Sequence, residues 1–167
     1  MANKKIANAT PTEYNGIKFK SLIESRIYRA LLTAGITPEY EKHTYILSPK
    51  AKTTVPFYNR TPKKGFHLIN RNVSAITYTP DFTFTLNGVF VIIEVKGREN
   101  DVFPFKRNLF RKLLETFDFP VMFFEVRSKK ELLQSLDVIK KYTNLSKSPK
   151  RYRNGVSKPK RNKLAGR

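Results

Sequence analysis

Apolar and polar positions follow two different periods along this chain. From Ser21 to Ala34 the apolar residues Ile23, Ile27, Ala30, Leu31 and Ala34 recur at helical spacing, and Gly35 follows as a natural terminator. Glu39–Leu47 alternates at period two and predicts a strand with Glu39 and Glu41 on one face. Two β-rich runs, Ile76–Leu86 and Val89–Lys96, flank Asn87-Gly88, a strong signal for a two-residue type I′ turn because both central residues need positive φ. The helical period returns from Pro104 to about Phe117, with Leu109, Phe110, Leu113, Leu114 and Phe117 as its apolar stripe. Pro120–Val126 then reads as a buried strand. Ser128-x-x-Glu131 opens a last helix with Leu132, Leu133, Leu136, Ile139 and Tyr142 inward. This order predicts an α/β domain over residues 16–142, with a mixed central sheet flanked by helices. Residues 1–15 read as a flexible lead-in.

The hairpin carries charge where its core would not choose it. If Leu86 and Val89 close the turn, Asp81 lies opposite Glu94 on one face, with Cβ atoms about 5 Å apart. Lys96 projects to the same face one rung further on. Facing carboxylates repel, and a divalent cation held by both is the simplest remedy. An exposed face with its carboxylates partnered by Lys96 and other bases is the plainer reading. Against it, the strand from Val89 to Val95 is otherwise almost wholly apolar, and Pro80 marks an edge or a strand start just before Asp81.

Composition points to a polyanionic partner. The chain of 167 residues has 33 Lys+Arg against 13 Asp+Glu, a net charge of +20. No apolar run approaches membrane-spanning length, so nucleic acid is favoured over a membrane. The absence of cysteine excludes disulfides, thiolate zinc sites and cysteine nucleophiles, and suits the cytoplasm. Met1–Ala9 lacks the apolar segment of a signal peptide. Residues 48–74 form an insertion with six bases, no acid, and the aromatics Phe57, Tyr58 and Phe66. It reads either as a DNA-contacting loop or extended hairpin, or as a solvated insertion. Lys63 and Lys64 in it, Arg98 after the hairpin, and Lys106, Arg107 and Arg111 on the following helix are candidate DNA contacts. So are Lys150, Arg151 and Arg153 in a basic tail spanning 143–167. His43 and His67 lack metal-ligand spacing, and Glu39 and Glu41 read as solvated charges on an edge strand.

Pro80-Asp81 followed by Glu94-Val95-Lys96-Gly97 resembles the PD-(D/E)xK nuclease signature. Tyr78–Phe82, Asn87–Val91 and Glu94–Gly97, with Phe19–Glu24 and Gly35–Glu41 upstream, are similar to the phage endonuclease I branch, which resolves Holliday junctions. The resemblance implies a restriction-endonuclease-like core and a metal-dependent endodeoxyribonuclease acting on branched DNA, at work in the cytoplasm of an infected bacterium. It implies that Asp81, Glu94, the backbone carbonyl of Val95 and Glu24 hold Mg²⁺ or Mn²⁺, with Lys96 completing the catalytic set. It further implies a homodimer in which exchanged N-terminal elements supply Glu24 in trans. Ser21-x-x-Glu24 is also a capping box, a role that uses the same oxygens. Residues 48–74 are longer than the connection expected of that branch. Two other readings stand beside this one: a non-catalytic basic nucleic-acid-binding protein, and a nuclease subunit of a recombination, packaging or transposition complex.

Overall fold

The computed structural model describes residues 10–69, 72–97 and 101–146. Its first element contradicts the loose lead-in: Thr12–Tyr14 (β1) pairs antiparallel with Ile17–Phe19 (β2) around Asn15-Gly16. Both turn residues have positive φ, 50° and 74°. That dipeptide is the same hairpin signal as Asn87-Gly88, placed after a polar start that masks it. Phe19 is fully buried, so this hairpin belongs to the core.

Helix α1 (Leu22–Thr33) begins where expected, with the Ser21 hydroxyl accepting the Glu24 N–H. It ends in a Schellman motif. Gly35 takes φ 76°, its N–H donates to Leu32 and the Ile36 N–H donates to Leu31. Ala34, expected on the apolar stripe, is the exposed cap, and Tyr28 and Ser25 join the buried face instead. The single strand expected over Glu39–Leu47 is two: Glu39–Tyr40 (β3) and Tyr45–Ser48 (β4). Glu41 adopts φ 45° and breaks the alternation, so Glu39 and Glu41 do not continue one strand face.

The insertion is an antiparallel ribbon of Tyr58–Thr61 (β5) and Gly65–Leu68 (β6), with an Ala51–Val73 bridge beneath it. Ile76–Tyr78 (β7) pairs with β4, not with the main sheet. The run expected as one strand from Ile76 to Leu86 therefore changes sheets at Thr79-Pro80-Asp81, where proline has no N–H to continue a ladder. Phe82–Leu86 (β8) and Val89–Val95 (β9) form the predicted hairpin, with Asn87 at φ 52° and Gly88 at 81°. Helix α2 (Phe103–Leu114) carries Pro104 in its first turn and ends three residues short of Phe117, in a turn bonded to Leu113 and Leu114. Val121–Val126 (β10) pairs parallel with β9, and α3 (Lys129–Ser146) completes the described chain.

The main sheet has the order β10-β9-β8-β3 and is mixed, parallel between β9 and β10 and antiparallel elsewhere. This is a mixed α/β architecture with three helices. Strand β9 is buried on both faces, which explains its nearly unbroken apolar run. Val91, Ile93 and Val95 pack with Ile27 and Leu31 of α1 and Leu132, Leu136 and Ile139 of α3. On the other face Ile92 packs with Tyr78 and with Phe103, Phe110 and Leu114 of α2. Strand β10, expected to be buried, is mostly half-buried because it is the sheet's edge.

Two assignments on α3 change. Leu133 (44% exposed) and Tyr142 face outward, while Ser135 and Thr143 take their places in the buried stripe beside Leu136 (2% exposed). Thr143 is thus part of the domain rather than the start of the tail; residues 147–167 lie outside the described residues. Leu136→Ala should lower the unfolding free energy by about 2–5 kcal/mol, and Leu133→Ala by less than about 1 kcal/mol. Urea denaturation of the two variants checks this.

Candidate active site

The β8–β9 register determines what meets at the open end of the hairpin. Pairs run from Leu86–Val89 to Phe82–Ile93, so Asp81 and Glu94 occupy the next rung. Asp81 sits at a bend just outside the ladder and caps it: its Oδ2 accepts the Val95 N–H at 2.6 Å. Its own carbonyl accepts the Glu41 N–H at 2.9 Å, tying the bend to the end of β3.

Glu94 is 6% exposed, a carboxylate inside an apolar slab. Both its oxygens are engaged. Oε2 accepts the Tyr78 hydroxyl at 2.6 Å, and Oε1 meets Lys96 Nζ at 2.6 Å. Lys96 Nζ also lies 3.4 Å above the centroid of the Phe103 ring, a cation–π contact that fixes the ammonium from below. Burial, then the negative charge of Glu94, pushes the Tyr78 hydroxyl well above the usual tyrosine range, so it remains a donor.

Burial and the facing charge of Glu94 push the Asp81 carboxyl up to about 8, with Glu24 adding to the rise. The Val95 N–H and Lys96 oppose that shift. Asp81 therefore holds a proton near neutral pH when nothing positive lies between the two carboxylates. Glu94 and Lys96 are paired on one face of β9, while the Asp81 carboxylate bonds the Val95 N–H from the bend and feels the charge of both.

Glu24 is buried at the start of α1 and its charge reaches Asp81 of the same chain. The helix packs on the sheet through Ile27 and Leu31 and is joined to β3 by a short connection. The Glu24 carboxylate accepts a backbone N–H at the helix start, as expected of Ser-x-x-Glu, but from Lys20 rather than from Ser21. Oε1 accepts the Ser21 hydroxyl at 2.6 Å, while Oε2 accepts the Tyr40 hydroxyl at 2.6 Å and the Lys20 N–H at 3.1 Å. Beside it Lys20 pairs with Glu41. Burial opposes the Lys20 charge, but Glu41, Asp81 and Glu24 together hold its pKa above the usual lysine value. Glu39 is a solvated charge, held below the usual carboxylate range by Lys42 and His43.

Four residues matter here that no sequence motif assigned: Tyr78, Tyr40, Lys20 and Phe103. Tyr78 and Tyr40 each lie sixteen residues from the carboxylate they hold, a separation only the fold closes. The candidate DNA contacts are dispersed. Lys63 and Lys64 form the turn of the β5–β6 ribbon, and Lys106 and Arg111 lie on α2. Arg107, also on α2, pairs with Glu125 at 3.2 Å. Arg98, Lys150, Arg151 and Arg153 lie outside the described residues.

Comparison with curated proteins and with solved structures gives no match. A family model described as a protein of unknown function, DUF1064, matches residues 4–131. That match spans most of the chain and takes in Glu24, the basic ribbon, Asp81, Glu94 and Lys96, so the chain belongs to the DUF1064 family.

Proposed function

We propose that this protein is a metal-dependent endodeoxyribonuclease of the PD-(D/E)xK type, with a restriction-endonuclease-like core, that hydrolyses phosphodiesters in branched or junction DNA. The observation that carries the proposal is the half-buried Asp81 beside the buried Glu94, with Lys96 bonded to Glu94, at the open end of one hairpin. The net charge of +20 suits a nucleic-acid substrate, and among the described residues no helix is long and apolar enough to cross a membrane. The cytoplasm of an infected bacterium and a homodimer, which would bring two such sites to one branch point, belong to the same proposal.

The residues fit a hard divalent cation. Two carboxylates that suppress each other's ionisation gain from a positive charge between them, and oxygen donors are what Mg²⁺ and Mn²⁺ prefer. Asp81 and Glu94, with the Val95 carbonyl and Glu24, are the groups that would hold the cation. Bound there, the ion would lower the pKa of a coordinated water and stabilise the leaving 3′ oxygen. The chain's own groups do the rest. Tyr78 fixes Glu94 through Oε2, and Phe103 holds the Lys96 ammonium where it can donate to a phosphate oxygen or orient the water. Glu24, anchored by Ser21 and Tyr40, adds negative charge behind Asp81.

A second reading is favoured by one observation. Glu94 and Glu24 are already satisfied by Lys96, Tyr78, Ser21 and Tyr40, as they would be in a non-catalytic nucleic-acid-binding protein. Asp81→Asn separates the two. With Mg²⁺ and a synthetic four-way junction, it should keep binding and lose cleavage by more than the ~10–100-fold typical of disturbing an outer hydrogen bond to a metal ligand. Wild-type protein that binds the junction but never cuts it supports the second reading.

A pH effect follows from Asp81. Its carboxyl titrates near 3.8 in the unfolded chain and near 8 in the folded one, so its contribution is complete below the first value and is lost as pH rises through the second. In metal-free buffer Asp81→Asn should therefore be the more stable protein at pH 8, by about 2 kcal/mol after solvent screening, and the difference should vanish near pH 4. Added Mg²⁺ should raise the melting temperature of the wild type and not that of the variant. Thermal melts across pH measure both.

A further inference from the structure

The β5–β6 ribbon is the one described part of the chain whose large side chains are almost all turned to solvent. Tyr58 pairs with Leu68 and Arg60 with Phe66, so these four share one face. All are exposed, Phe66 at 74% and Tyr58 at 59%. A two-stranded ribbon has no second layer to cover such a face, and leaving it open in water is unfavourable unless something docks there. Charge selects the occupant. Lys63 and Lys64 form the turn, Lys50 and Lys52 stand at the base, and positions 48–74 contain no acid. Among the described residues none of Lys50, Lys52, Arg60, Lys63 or Lys64 is in an ion pair. A second copy of this chain would bring like charge to like charge. A polyanion with flat apolar faces meets both features, the phosphates on the lysines and the bases on the rings.

We infer that the Tyr58–Leu68 ribbon is a nucleic-acid-binding arm whose ring face packs on unpaired bases of DNA while Lys63 and Lys64 hold the adjoining phosphates. Arg60, between the rings on that face, adds a planar cation that stacks as the rings do. The arm discriminates by structure rather than sequence, since every base offers a π-face. It selects DNA with opened bases, such as branch points and bubbles, over plain duplex. This goes beyond the catalytic proposal and does not depend on it.

The test reads binding in EDTA, so that cleavage plays no part. Fluorescence anisotropy of the full chain is compared on a duplex oligonucleotide and on the same duplex with a central mismatched bubble. Wild type should prefer the bubble. Tyr58→Ala with Phe66→Ala should weaken bubble binding at least about fivefold, the lower end for one stacked base, leaving duplex binding and the salt slope unchanged. Lys63→Ala with Lys64→Ala should weaken both and lower the slope of log K against log salt by about 1.4–1.8. The chain has no tryptophan, so Phe66→Trp supplies a single reporter whose fluorescence should fall on adding the bubble but not the duplex. The inference is overturned if the ring variant, folded by circular dichroism, binds the bubble as wild type does, or if the indole fluorescence of the Phe66→Trp variant ignores the bubble. A dimer that Phe66→Ala dissociates in sedimentation would overturn it too, by making the ribbon a protein interface.

Discussion

A carboxylate at position 94, near the end of a strand buried on both faces, is the constraint that shapes the rest of this structure. Removing a charge from water is costly unless partners replace the lost solvation. Here they come from three directions: Tyr78 across the sheet switch, Lys96 one rung along, and Phe103 beneath that lysine. Asp81 then arrives on the facing rung, and burial with the charge of Glu94 holds its carboxyl protonated near neutral pH. An apolar pair at positions 81 and 94 would leave the sheet more stable. Retaining two acids there is a cost to folding, and such costs concentrate where chemistry is done.

The fold makes that meeting unavoidable. Asn87-Gly88 sets a two-residue turn and thereby the register; a slip of one residue would send Glu94 into the layer of α1 and α3. The crossover through α2 to the parallel strand β10 buries the face that Glu94 shares with Ile92. At the far end of β9 the Lys96 N–H donates to Val126, which holds the residue carrying the cation in the sheet even as the strand ends. The opposite layer places Glu24 by capping α1, so a residue needed for the helix start also lends charge to the site.

Local chemistry was legible where a single dipeptide or spacing decides the outcome. Asn87-Gly88, both Ser-x-x-Glu boxes and Gly35 after α1 behave as their side chains and backbone freedom require. Asn15-Gly16 carried the same information and was hidden by its polar surroundings. Other features are tertiary. The break at Glu41 comes from an acquired left-handed backbone, and the sheet switch at Pro80 separates β7 from β8 although the β-propensity runs through. Leu133 and Leu136 differ only in which side of α3 has a neighbour, and no hydrophobicity pattern tells Thr143 from Tyr142 there. Glu94 and Glu24 each accept from a tyrosine hydroxyl, Tyr78 and Tyr40, which read as ordinary strand residues until the fold brings them to the carboxylates.

The central claim is that Asp81 and Glu94 form one cation site rather than a neutralised structural pair. Anomalous diffraction from crystals soaked in Mn²⁺ examines it directly. The account predicts a peak between the two side chains, about 2.1–2.3 Å from an oxygen of each, with Lys96 Nζ withdrawn from Glu94 Oε1. No peak at that position under saturating Mn²⁺, with Lys96 still bonded to Glu94, would contradict it.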